Sequence, residues 1–81
     1  MKLPTQVAAI VIDVAHERGV TVRDILGRAH TERAWLARRE AMQRVRQAVV
    51  ICGKPPSTIK IGGWFNRDAS TVSISLRKQT A

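Results

Sequence analysis

Ile61-Gly62-Gly63-Trp64-Phe65-Asn66-Arg67-Asp68-Ala69-Ser70-Thr71-Val72 is the stretch on which the fold turns. Ile61 and Phe65 stand four residues apart, a spacing that puts both side chains on one helix face, and Ser57 upstream is a natural N-cap. Asn66 and Arg67 supply a polar turn, Asp68 is a second N-cap, and Val72 with Leu76 repeats the apolar spacing. Helix, tight turn and helix are therefore expected over about residues 57–78, the arrangement of a helix-turn-helix. With Val72 and Leu76 turned inward, a step of about 100° per residue leaves Ser70, Ser73, Ile74 and Arg77 on the outer side.

Upstream, the pattern is helical as well. Val7, Ile10, Val11 and Val14 recur at helical spacing between Thr5, read as an N-cap, and Gly19, which predicts a helix from about Gln6 to Arg18. Thr21 and Asp24 have capping-box spacing, with Val20 and Ile25 at the staple positions, and Gly27 follows, so a short helix over about Val22 to Leu26 comes next. After the loop Arg28-Ala29-His30, Thr31 caps the longest helix, expected to run to about Cys52 before Gly53, Pro55 and Pro56. On a helical wheel Ala34, Ala37, Ala41, Met42, Val45, Ala48, Val49 and Cys52 form its core stripe. Arg33, Arg39, Arg44 and Arg46 flank that stripe, and Arg38 falls inside it, as though projecting from its edge toward a ligand. Leu36, Val50 and Ile51 lie outside the arc and are expected to be exposed. The fold class is all-α: a compact bundle of about five helices in one domain over residues 1–81.

Charge points to the partner. The 81 residues carry a formal net charge of +8, unevenly spread. Up to Gly27 the bases Lys2, Arg18 and Arg23 are balanced by Asp13, Glu17 and Asp24, whereas Arg28 to Arg46 and Lys54 to Lys78 each carry +4. A neutral supporting side and a basic remainder fit a polyanion such as double-stranded DNA. The bland alternative for the arginines is a solvated helix face. Enzymatic function is not expected in so short a chain. Asp13 and Glu17 share a face without promise of a pocket and are read as solvated, and His16 as a surface partner of its helix end. Cys52 with distant His16 and His30 has no metal-ligand spacing, so neither a metal site nor a cofactor is expected. A lone cysteine, no secretory apolar stretch and no run of the ~20 apolar residues that span a bilayer lead to the expectation of a cytoplasmic, nucleoid-associated protein.

The pieces Ile61-Gly62, Phe65 and Arg67-Asp68-Ala69-Ser70-Thr71-Val72 resemble the signature of the C-terminal DNA-binding domain of the bacterial replication initiator DnaA, a Trp-repressor-like helical fold. The likeness extends ungapped over Val14 to Met42, through Asp24-Ile25-Leu26, a basic loop and Ala41-Met42. The resemblance implies phosphate contacts from Arg38, Arg39 and Arg46. It places Asp68, Ala69, Ser70 and Thr71 at the start of a major-groove recognition helix and the loop Arg28 to His30 at the minor groove. Arg67, Ser73 and Arg77 complete the expected DNA-facing set. His30 stands where the family has an arginine and Ala69 where it has a histidine, the connection from Val49 to Ser57 is longer and the turn at Asn66 shorter, so a different preferred site is expected. Ala69 offers only a methyl group, suited to a thymine methyl, and Ser70 with help from Ser73 is expected to carry selectivity.

The expected function is sequence-selective binding of double-stranded DNA by a regulator of transcription. The alternatives are a modulator of replication initiation and an adaptor that kept the fold but binds another regulatory protein through Leu36, Val50, Ile51 or Trp64. Trp64 is read as either core edge or exposed anchor, and Asp68 as a helix cap, a DNA contact, or both.

Overall fold

The computed structural model describes residues 3–27, 31–51 and 53–77, without the side chains of Ser75 and Arg77. Expectations for Arg28, His30, Cys52, Lys78 and the Arg77 side chain therefore lie outside the described residues. Five helices follow in order: α1 Thr5–Arg18, α2 Val22–Leu26, α3 Glu32–Ala48, α4 Thr58–Phe65 and α5 Ala69–Arg77. The described residues contain no strand, only an isolated antiparallel bridge between Ile51 and Lys54. None of these helices is long and apolar enough to cross a membrane.

Most helix ends follow the capping logic of the sequence. Thr21 Oγ1 accepts the Asp24 N–H at 3.0 Å while the Thr21 N–H donates to Asp24 Oδ2 at 3.1 Å, which closes the capping box. Thr31, Ser57 and Asp68 each accept from the backbone N–H three residues on, capping α3, α4 and α5. Gly19 ends α1 at φ 68°, and the Val20 N–H reaches back to the Ala15 carbonyl at 3.0 Å. Thr5 is a departure: it is the first helical residue, and Pro4 holds the N-cap position without a side-chain bond.

The end of α3 also departs from expectation. The helix stops at Ala48, and Val49 turns to extended backbone, φ −89° and ψ 129°. Val49, Val50 and Ile51 are a β-branched run, which favours extended backbone, and Gly53 at φ 80° lets Ile51 and Lys54 exchange two backbone hydrogen bonds. Val49 is buried in the core, while Ala48, the last helical residue, is exposed. Ile51, expected to be exposed, packs against the core with Trp64, while Leu36 is half-buried and Val50 is exposed.

Helix α3 packs against each of the other four helices and is the axis of the bundle. Its Ala37, Ala41, Met42 and Val45 meet Val7, Val11 and Val14 of α1, Ile25 of α2, Ile61 and Phe65 of α4, and Val72 of α5 in one cluster. Alanines on α3 keep its surface low, so four neighbours fit around seventeen residues of helix. Among the described residues the backbone of α1 closely approaches those of α2 and α3 and not those of α4 and α5.

Candidate nucleic-acid interface

The turn between α4 and α5 is built from the sequence outward. Asn66 takes the left-handed conformation, φ 58° and ψ 41°, which asparagine tolerates better than most side chains. The N–H groups of Asn66 and Arg67 both return to the Gly62 carbonyl, Arg67 at 2.8 Å, and close α4. The chain then enters α5 at Asp68 with Val72 fully buried beneath. Ser70, Thr71 and Ile74 face outward and Leu76 packs against the core edge. Ser73 departs from the expected outer face: it is half-buried and sits in the wall of a groove with Gln43, Arg46, Thr58 and Leu76. Ala69 is half-buried at the helix start.

Asp68 works as a cap in this geometry. Its Oδ1 accepts the Thr71 hydroxyl at 2.6 Å and the Thr71 N–H at 3.2 Å. These two donors hold the Asp68 carboxyl below its usual range, the hydroxyl contributing most, so the group is an anion at neutral pH.

The basic residues divide by what their guanidinium groups touch. Arg38 does not project toward a ligand: it is 7% exposed, and donates from Nε to the Ile25 carbonyl at 2.7 Å and from Nη2 to the Asp24 carbonyl at 2.9 Å. Burial, followed by the nearby charge of Arg67, lowers its pKa from the ordinary arginine value. This placement moves Arg38 from the expected phosphate contacts to the interior. Arg67 is likewise turned inward, with Nη2 to the Gly27 carbonyl at 2.6 Å and Nη1 to the Asn66 carbonyl at 2.9 Å. Asn66 Nδ2 donates to the Leu26 carbonyl at 3.1 Å. The four carbonyls from Asp24 to Gly27, which a helix end leaves without intrahelical partners, are thus covered one by one from α3 and from the α4–α5 turn.

Arg39 and Arg46 remain where a polyanion can reach them. Arg46 is exposed at the groove beside Ser73, and Arg39 is half-buried with its guanidinium 5.2 Å from the centroid of the Trp35 ring. Arg18 and Arg44 take another course. Arg44 pairs with Glu17 at 2.6 Å and with Glu40, and Arg18 pairs with Glu40, which ties α1 to α3. Glu17 is therefore not merely solvated; the hydrogen bond from Arg44 lowers its pKa, and the same bond raises that of Arg44. The Glu40→Gln substitution should cost ~0.5–1 kcal/mol, because pairs of this exposure contribute little and are screened by salt. Parallel urea melts should show that difference at low salt and its disappearance near 1 M; a cost unchanged by salt would assign Glu40 a packing role instead.

Sequence reasoning missed the inward turn of Arg67 and Asn66, because nothing local signals a bond to a carbonyl forty residues away. The Trp35–Arg39 and Glu40–Arg44 pairs were readable from their four-residue spacing. Comparison with known proteins finds no matching family model, no matching curated protein and no matching solved structure.

Proposed function

We propose that this chain is a sequence-selective double-stranded DNA-binding protein that regulates transcription, with α5 as the helix that enters the major groove. The observation that carries this reading is the outer face of α5: Ser70, Thr71 and Ile74 are exposed on a helix braced from beneath by Val72 and by the α4 turn, with Arg46 at its flank. Short side chains at the start of a recognition helix let it sit close to base edges, and flanking arginines fix its register on phosphate. The net charge of +8 supports the reading, since it is what remains once every carboxylate, including those paired with Arg18 and Arg44, has been counted. The resemblance of Ile61 to Val72 to the DnaA DNA-binding signature points the same way. The protein-adaptor alternative loses two of its four anchors, because Ile51 and Trp64 pack against the core.

Binding to duplex DNA should weaken steeply with salt. Each phosphate neutralised contributes a slope of ~0.9 in log K against log salt, so Arg39 and Arg46 alone give about −2, and further basic residues steepen it. Arg46→Ala should weaken binding to all sequences alike and flatten the slope by about 1. Anisotropy titrations at several salt concentrations measure both. A flat response, or no binding to any duplex at low salt, overturns the DNA reading.

A further inference from the structure

The outer face of α5 carries a chemical pattern that deepens the DNA-binding reading and rests on it. Asp68 Oδ1 takes both the backbone N–H and the hydroxyl of Thr71. A carboxylate has no proton to give, so the one hydroxyl proton of Thr71 is committed to Asp68 and the Thr71 oxygen offers only lone pairs outward. Three residues along the same face stands Ile74, 55% exposed. Residues spaced this way on a helix are neighbours, with Cβ atoms ~5–6 Å apart. Ile74 adds nothing to the core, which Val72 and Leu76 close from the other side of the helix. Its neighbours Ser70 and Thr71 are polar, so it is a single apolar spot within a hydrogen-bonding face.

We infer that α5 selects an A·T-containing step in the major groove, with Ile74 packed on a thymine C5-methyl group and the acceptor oxygen of Thr71 facing an exocyclic amino group of a neighbouring base. Among the four bases only thymine puts a methyl group on the major-groove edge, and only adenine and cytosine put an amino donor there. An A·T pair supplies both features, whereas a G·C pair lacks the methyl. The occupant is duplex DNA because the patch is one side chain wide and belongs to a chain of net charge +8 with Arg46 beside the helix. A protein partner would call for a broader apolar surface.

The test begins with selection of a preferred site from random duplexes, followed by replacement of each thymine in turn by deoxyuridine, which removes the methyl and nothing else. At one or two positions the wild-type protein should lose about three- to tenfold in affinity, the effect of one buried methyl group. Replacing deoxyuridine there by 5-methylcytosine, with guanine opposite, should restore part of the loss by returning a methyl to the same place. Ile74→Ala should bind thymine and uracil sites equally while its thermal melt matches wild type, since the side chain lies outside the core. If the selected site binds tightly but uracil is tolerated at every position, or if Ile74→Ala still discriminates, the Ile74 assignment is overturned and DNA binding stands. If no duplex binds at low salt, the DNA reading itself fails.

Discussion

Gly62→Ala should cost ~4–6 kcal/mol, a large share of the stability of so small a domain, while Gly63→Ala, one residue further on, should raise the melting temperature by a few degrees. A Cβ at Gly62 would lie 2.3 Å from the backbone oxygen of Arg67, far inside contact distance, and a backbone atom has no rotamer by which to move away. Relief requires opening the turn, which breaks the Arg67 N–H bond to Gly62 and pulls Asn66 and Arg67 off the α2 carbonyls. Overpacking of this kind costs ~1–3 kcal/mol and each lost hydrogen bond about 1 kcal/mol more, against a total of ~4–12 kcal/mol for a chain of this size. Gly63 is exposed, meets nothing within 4 Å, and sits inside α4, where alanine is better by ~1 kcal/mol or ~4–8 °C. Circular dichroism melts of the two variants side by side decide the matter. If both alanines stabilise alike, α4 does not close on Gly62 as described.

The contrast between these glycines shows what the sequence carried and what it did not. Capping residues, apolar spacing and turn residues act over three or four neighbours, so the α4–α5 pair, the capping box at Thr21 and the Thr31 cap are legible in the sequence. The two glycines are adjacent and look alike on paper; only the path of the chain after Asn66 makes one indispensable. The over-long expectation for α3 has a local cause, since apolar Val49 to Ile51 continued the helical stripe while their branching at Cβ favoured extended backbone. For the candidate interface, the outward placement of Ser70 and Ile74 followed from helical geometry, whereas that of Thr71 did not, and Ser73 depends on how closely Arg46 and Thr58 approach α5. The arginines were the least legible part. Their charge is evident at once, yet whether one faces phosphate, as Arg46 can, or a carbonyl, as Arg38 does, is decided by elements distant in sequence.

Arg38→Met is expected to cost ~3–5 kcal/mol, a loss of roughly 12–40 °C in melting temperature. Methionine keeps much of the apolar stem, so the comparison isolates the guanidinium. Without it the Ile25 and Asp24 carbonyls at the end of α2 lose a charged donor, and hydrogen bonds to charged groups contribute ~1.5–3 kcal/mol each. Arg38→Lys should fall between, because an ammonium is a single point donor that does not span two carbonyls as a planar guanidinium does. Because it removes the charge that a phosphate contact needs, whereas lysine keeps it, the methionine variant also separates the two roles this residue can be given. Its position in the α3 stripe and its resemblance to a phosphate-contacting position suggest DNA, whereas its burial and its bonds to α2 assign it to the fold. Below its melting temperature, Arg38→Met should therefore bind duplex DNA with the salt slope of wild type, while Arg46→Ala loses about 1 from that slope. Arg38→Met binding with a slope about 1 shallower and melting as wild type does would return Arg38 to the DNA surface. A stable core and an unchanged slope together would mean that neither its bonds to α2 nor a phosphate contact holds this side chain in the interior.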